Sequence, residues 1–111
     1  MQRISIEALA RQQLTAAVGA SSGRAGDTVV GGHEKVLRQT VVALRAGARI
    51  AERENHDEAT IFVLSGRVRM WSGDVEWLAR SGHLLIVPPA RHGLDALEDA
   101  TLLITVAKLR D

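Results

Sequence analysis

The chain has 111 residues, of which 46% are hydrophobic and 24% charged, and these values are typical of one globular domain. A formal net charge of +1 gives no electrostatic basis for binding nucleic acid, and no apolar run approaches the roughly 18 residues of a membrane span. The chain contains no cysteine, which excludes disulfides and thiolate metal ligands and leads us to expect a cytoplasmic protein.

The first predicted element is a helix over residues 5–18. Ser5 is a residue type that caps helices, because its hydroxyl accepts from a free backbone N–H of the first turn. Glu7 lies in that first turn, where a negative charge is favourable. Ile6 and Leu9 begin an apolar pattern of helical spacing. The helix is short, so we expect it to pack on a larger structure.

Strand signals follow a small, polar segment at residues 20–27 that predicts a loop. Runs rich in β-branched and aliphatic residues then recur at short intervals, separated by Ser-Gly and Pro-Pro turns. This rhythm predicts an antiparallel sandwich or small barrel. We therefore predict an N-terminal helix and loop (1–27) and a β-barrel (28–111) within one domain. The individual strands are predicted at 36–46, 59–64, 67–71, 75–79, 84–87 and 101–107.

Several of these strands are apolar at successive positions, as in the LLIV run at residues 84–87. A strand of this kind is covered on both faces rather than on one. In a chain of this size the second cover is most simply a partner subunit. The pattern therefore predicts a homodimer.

Two glycine-bounded segments carry a more specific pattern. The first, GARIAERENHDEATIFVLSG, runs from Gly47 to Gly66 and indicates two strands joined by a turn; the second, GHLLIVPPARHGL, starts at Gly82. From Gly47 to Ala107 the chain resembles the cupin family, and in particular small single-domain bacterial cupins whose function is undefined. The resemblance implies an all-β fold, a cupin-type jelly-roll barrel with a short N-terminal helix.

The resemblance also identifies what is missing. The first cupin motif carries two histidines and a glutamate, and in this chain Arg53, Asn55 and Ala59 stand at those positions. The second motif ends in a histidine, and here His92 arrives one residue early. A guanidinium cannot ligate a cation and alanine offers no donor. We therefore predict that no metal or other cofactor is bound at the family's usual place.

A register shifted by one residue would give a different set of donors. Glu52, Glu54 and His56 alternate and could then share one face of a strand, with Glu58 beyond the turn. The same shift would turn Ile50 to the wrong side of the sheet. We therefore interpret the three residues as an exposed acidic edge.

The replaced residues suit a negatively charged ligand. The first functional hypothesis is thus a metal-free, dimeric barrel that holds a small organic anion through Arg53, Asn55 and His92. Gln39 is included because Gln39 and Thr40 are polar in an otherwise apolar strand, and one of the two would point into the cavity. For Arg53 the alternative is an ordinary salt bridge, and for His92 a half-buried ring that holds a loop carbonyl.

Two other hypotheses stay open. The first is an enzyme, either a cofactor-independent isomerase or lyase in which His92 is a general base, or a metalloenzyme or oxygenase with an unusual ligand set. Asp95 and Glu98 are the acids that could orient His92. The second is a structural or regulatory dimer whose barrel holds no ligand. The sequence does not decide whether the protein is an enzyme.

Overall fold

The structure is a computed structural model that describes residues 2–108. One helix, α1 (Ile6–Gly19), precedes nine strands in this part of the chain. The strands are β1 (Arg24–Val30), β2 (Leu37–Leu44), β3 (Arg49–Arg53), β4 (Glu58–Ser65), β5 (Arg67–Ser72), β6 (Val75–Arg80), β7 (Leu84–Ile86), β8 (His92–Ala96) and β9 (Ala100–Ala107).

The strands form two antiparallel sheets packed face to face. The five-stranded sheet has the order β1-β2-β9-β4-β7, and the four-stranded sheet has the order β3-β8-β5-β6. Neighbouring strands are mostly distant in sequence, as in a jelly roll. The predicted all-β jelly roll with one short N-terminal helix is confirmed.

The core lies between the two sheets. Alternate residues of each strand face inward, so β2 and β9 contribute Leu44 and Leu102 from one sheet, and β5 and β8 contribute Met70 and Leu94 from the other. All four side chains are almost completely buried. Burying each is worth about 1.5–3 kcal/mol relative to leaving it exposed.

The helix covers the part of the outer face of the five-stranded sheet that is formed by β1, β2 and β9. Its first turn is capped by Ser5, whose Oγ accepts from the Ala8 N–H at 3.1 Å, as predicted. Val41 and Ala43 alternate with the inward residues of β2 and are nevertheless fully buried, because α1 packs against this strand. The second cover of β2 is therefore the chain's own helix. Within residues 2–108, no helix is long and apolar enough to cross a membrane.

Three strands, β1, β3 and β8, were not predicted with individual bounds, although the two strands indicated between Gly47 and Gly66 include β3. β1 begins at Arg24, so the predicted loop over 20–27 is too long, and the proposed boundary after residue 27 falls inside this strand. It is an edge strand with mostly exposed residues, and so lacks an apolar alternation. β8 contains Gly93 and Asp95, residue types that are depleted in strands, yet it pairs on both sides within the four-stranded sheet.

Candidate functional site

The barrel opens at one end into a cavity of about 230 Å³. Its buried walls are aliphatic, whereas its mouth carries charged and amide side chains. The apolar lining consists of Ile50, Ala51, Ala59, Ile61, Val87, Gly93, Leu94, Ile104 and Val106. The polar lining consists of Arg38, Arg53, Glu54, Asn55, His56, Asp57 and His92.

His92 begins β8 and points into this cavity, with only 9% of its surface exposed. Its Nδ1 lies 3.1 Å from the carbonyl oxygen of Ala90. A hydrogen bond to that carbonyl requires a proton on Nδ1; Nε2 is then an acceptor in the neutral ring and a donor in the imidazolium. The ring therefore contacts a loop carbonyl, as the structural interpretation expects, and it also lines the cavity.

The register of β8 explains why a histidine one residue early still faces inward. Gly93, at the position where the cupin motif has its histidine, pairs with Trp71 on the outer face of the sheet. The side chains of His92 and Leu94, on either side, line the cavity, to which Gly93 contributes only backbone atoms. His92 is thus one residue earlier than the histidine of the cupin motif, and the segment 88–91 leads into β8 so that His92 faces inward.

Arg53 ends β3 directly opposite His92 in the sheet. Ile50 pairs with Leu94 and Arg53 pairs with His92, so β3 advances three residues where β8 advances two. Because of this extra residue in β3, Arg53 faces the cavity, as Ile50 does. The expected salt bridges to Arg53 are not formed within residues 2–108, where its guanidinium has no ion-pair or hydrogen-bond partner. Glu52 instead accepts from Arg91 Nε at 3.0 Å.

Asn55 also lines the cavity, but both ends of its amide are engaged. Its Nδ2 donates to the carbonyl oxygen of Pro88 at 3.2 Å, and its Oδ1 accepts from the backbone N–H of Asp57, also at 3.2 Å. The side chain thus joins the loop after β3 to the loop after β7. At the mouth Asn55 therefore holds the two loops together through its hydrogen bonds.

Gln39 does not reach the cavity. Its Nε2 donates to Thr105 Oγ1 at 3.1 Å on the outer side of the five-stranded sheet. Arg38 and Thr40, its neighbours on β2, face the opposite side instead. The structure therefore brings together three of the four predicted site residues and adds Arg38, which shares a face with the inward Val42 and Leu44.

Comparisons with known proteins place this barrel. No family model matches the chain, and no curated protein matches its sequence. Solved structures do match. Salicylate 1,2-dioxygenase from Pseudaminobacter salicylatoxidans aligns with a TM-score of 0.76 and 19% identity over 90% of this chain and 33% of its own. A cupin superfamily protein from Desulfitobacterium hafniense aligns with a TM-score of 0.71 and 13% identity over 78% of each chain. The chain has the cupin fold.

A third solved structure that matches the chain is of a protein of unknown function. A conserved protein of unknown function from Streptococcus pyogenes aligns with a TM-score of 0.73 and 22% identity, over 83% of this chain and 80% of its own. Structures that share this cupin barrel thus include both an enzyme and a protein of unknown function. At these identities the likeness establishes the fold, and function must be argued from the site.

The residues at the cupin metal position do not fit a metal ion. Arg53 cannot donate a lone pair, both ends of the Asn55 amide are engaged, and Ala59 lines the cavity without a donor atom. Across residues 2–108 no three His, Asp or Glu side chains are arranged to hold a cation. Nor is the shifted register adopted, since Ile50 and Arg53 line the cavity and Glu52 does not. Glu54 and His56 lie beyond the end of β3, at the cavity mouth, and pair with each other at 3.2 Å.

The acids expected to orient His92 lie elsewhere in this cupin barrel. Asp95 accepts from Arg69 at 2.6 Å on the outer face of the four-stranded sheet, and Glu98 pairs with Arg67 at 3.6 Å. An acid–histidine pair is therefore not formed with either residue. The reason is the alternation of β8, which turns Asp95 away from the face that carries His92.

The outer face of the four-stranded sheet is instead a charged network around Trp71. The guanidinium carbons of Arg69 and Arg49 lie 5.1 and 5.9 Å from the centre of the indole ring. Hydrogen bonds to Asp95 and then to Glu76 raise the pKa of the Arg69 guanidinium above its ordinary value. These charges are paired with one another, as expected of a face in contact with water.

Proposed function

We propose that this cupin barrel binds a small organic anion at its mouth without a metal ion. The observation that carries the proposal is Arg53, a guanidinium without a partner in residues 2–108, placed opposite His92 at the entrance of an aliphatic cavity. A guanidinium presents a planar fork of N–H donors that matches a carboxylate. With both ring nitrogens protonated, His92 adds a second donor at Nε2 while Nδ1 remains hydrogen-bonded to Ala90, and the aliphatic wall receives the apolar part of the ligand.

The volume of the cavity limits the size of the ligand that it can hold. A volume of about 230 Å³ is below the usual range for drug-sized ligands, roughly 300–1,000 Å³. A small carboxylic acid with a short aliphatic or aromatic body suits such a space. The named substrate of the similar dioxygenase, salicylate, belongs to this class. Because neither Asp95 nor Glu98 reaches His92, we propose binding rather than catalysis as the function of the site.

Titration calorimetry with benzoate, salicylate and hexanoate tests the proposal. We expect one or more of these acids to bind, and the Arg53→Gln variant to bind it about 10- to 100-fold more weakly, since a hydrogen bond to a charged group is worth about 1.5–3 kcal/mol. Arg80→Gln is the matched control, because it removes the same charge from an exposed position on β6 that does not line the cavity. Equal affinities of the wild type and Arg53→Gln would refute the proposal.

We also propose that the protein acts as a homodimer through the outer face of the five-stranded sheet. Phe62, Leu84 and Ile86 lie on one side of the β4–β7 pair, and Leu84 and Ile86 are 56% and 74% exposed. β7 is moreover an edge strand, whose free backbone groups can pair with another chain. The opposite outer face carries paired charges, so the apolar face is the better surface for a second copy.

Sedimentation at micromolar concentration checks this proposal. The wild type is expected to sediment at the mass of a dimer, and Ile86→Lys at the mass of a monomer, because the substitution buries a charge in the contact. Val75→Lys, at an exposed apolar position on β6 of the other sheet, should leave the dimer intact. A wild-type monomer at that concentration would contradict the proposal.

A further inference from the structure

A second space adjoins the cavity at the mouth of the barrel. It is an open groove of about 550 Å³ that runs along β1 and β2. The groove and the cavity share part of their lining, so a ligand can extend from one into the other. The shared residues are Arg38, Ile50, Arg53, Ile104 and Val106.

The groove is positively charged. Arg24, Arg38 and Arg53 line it, and within residues 2–108 no aspartate or glutamate is among its lining residues. Arg24 donates to the backbone carbonyl of Arg49 at 3.4 Å. The guanidinium groups of Arg38 and Arg53, in contrast, have no partner in the described part of the chain. Cations that line one groove without counter-charges raise the local potential and attract anions.

The acidic residues of this region lie on the cavity side of the mouth. Glu54 and Asp57 line the cavity but not the groove, and Glu54 is already paired with His56. A ligand bound at Arg53 could place a second negative group in either of two directions. In the cavity mouth that group would lie near Glu54 and Asp57, whereas along β2 it would lie near arginines. The charge distribution favours a ligand whose second negative group lies in the groove.

The shared residues also define the middle of such a ligand. Ile50, Ile104 and Val106 are aliphatic and line both spaces, as the two arginines do. Farther along the groove lies Thr28, whose hydroxyl is hydrogen-bonded to that of Thr40 at 3.1 Å. A chain of methylene groups would bury against the aliphatic residues, while each end meets a cation.

We infer that the ligand is an elongated dianion, a dicarboxylic acid with an apolar middle. One carboxylate binds Arg53 and His92 at the cavity, and the other extends along β2 to Arg38, which lines the groove as well as the cavity. This inference rests on the proposed anion-binding function and names its ligand class. Arg38 is thereby assigned as the residue that distinguishes diacids from monoacids.

The test is calorimetry at constant ionic strength with linear α,ω-dicarboxylates of increasing chain length, from succinate to sebacate, and, for each length, the monoacid of the same carbon number. We expect the best diacid to bind at least about 10-fold more tightly than its monoacid, as one additional charged hydrogen bond allows. Arg38→Gln should remove most of this advantage, whereas Arg53→Gln should weaken diacid and monoacid alike. Arg80→Gln again controls for the loss of one positive charge.

The outcomes separate the two proposals. Monoacid binding that depends on Arg53, with no advantage for any diacid, would overturn the dicarboxylate inference and leave the anion-binding function standing. The dicarboxylate inference is likewise overturned if Arg38→Gln weakens monoacid and diacid by the same factor, because the charge of Arg38 would then act only at a distance. Failure of every monoacid and diacid to bind would overturn both.

Discussion

Replacing Gly66 by alanine is expected to destabilise the protein by about 2–5 kcal/mol. Gly66 has φ +82°, a conformation that costs an L-residue about 1–2 kcal/mol. The added Cβ would also meet the carbonyl oxygen of Asp99 and lie 2.8 Å from Ala100 Cα. These are backbone atoms that cannot rotate away, and overpacking of this kind costs about 1–3 kcal/mol more.

The position of Gly66 explains why the cost cannot be avoided locally. It lies between β4 of the five-stranded sheet and β5 of the four-stranded sheet, so the chain crosses from one sheet to the other at this residue. Any relaxation of the turn shifts one sheet against the other.

Urea-induced unfolding measures the effect of Gly66→Ala, and Gly47→Ala is the matched control. Gly47 also has a positive φ, +89°, but a Cβ there would find no atom within 4 Å. The control should therefore lose only the backbone term, about 1–2 kcal/mol. Equal losses in the two variants would show that the contact with Asp99 and Ala100 is not rigid.

Leu102→Ala is expected to lower the free energy of unfolding by about 2–5 kcal/mol. Leu102 is fully buried in β9, between Val42 of β2 and Val63 of β4. The substitution removes apolar contact and leaves a cavity that a strand bonded on both sides cannot close. For a chain of this size each kcal/mol corresponds to roughly 4 °C in Tm or somewhat more.

The control for Leu102→Ala is Leu78→Ala on β6, where the same side chain is 60% exposed. A substitution at such a surface position usually changes stability by less than about 0.5 kcal/mol. Thermal unfolding of both variants, followed by circular dichroism, gives the comparison. Similar Tm losses for the two leucines would contradict the placement of the core between the sheets.

The fold could be predicted because glycines and strand runs are local features. Gly66 is required by a turn, and the apolar strands between such turns follow from residue type alone. β1 and β8 could not be predicted in this way. The first is an exposed edge strand, and the second contains Gly93 and Asp95 and is held in the sheet by neighbours that are distant in sequence.

The site was predicted in part for the same reason. Arg53, Asn55 and His92 are found by aligning the chain with the cupin motifs, which record positions rather than contacts. The prediction that Gln39 points into the cavity was wrong, because its neighbours Arg38 and Thr40 lie on the inner side of β2 and Gln39 lies on the outer side. The inward phase of that strand is set by Leu44, and counting back from it by twos leads to Thr40 and Arg38. The shift of register in β3 has no signature in the sequence.

Trp71 has a consequence for how the protein can be observed. Its indole lies so close to Gly93 that a Cβ there would be 2.6 Å from its Cη2, and Gly93 directly follows His92. Trp77, the only other tryptophan, pairs with Met70 and so belongs to the opposite face of the hairpin. In a Trp77→Phe background, the fluorescence of a single indole would follow movements of the strand that carries His92. Trp71 thus serves as an intrinsic fluorescent probe on the outer face of the sheet whose inner face lines the cavity.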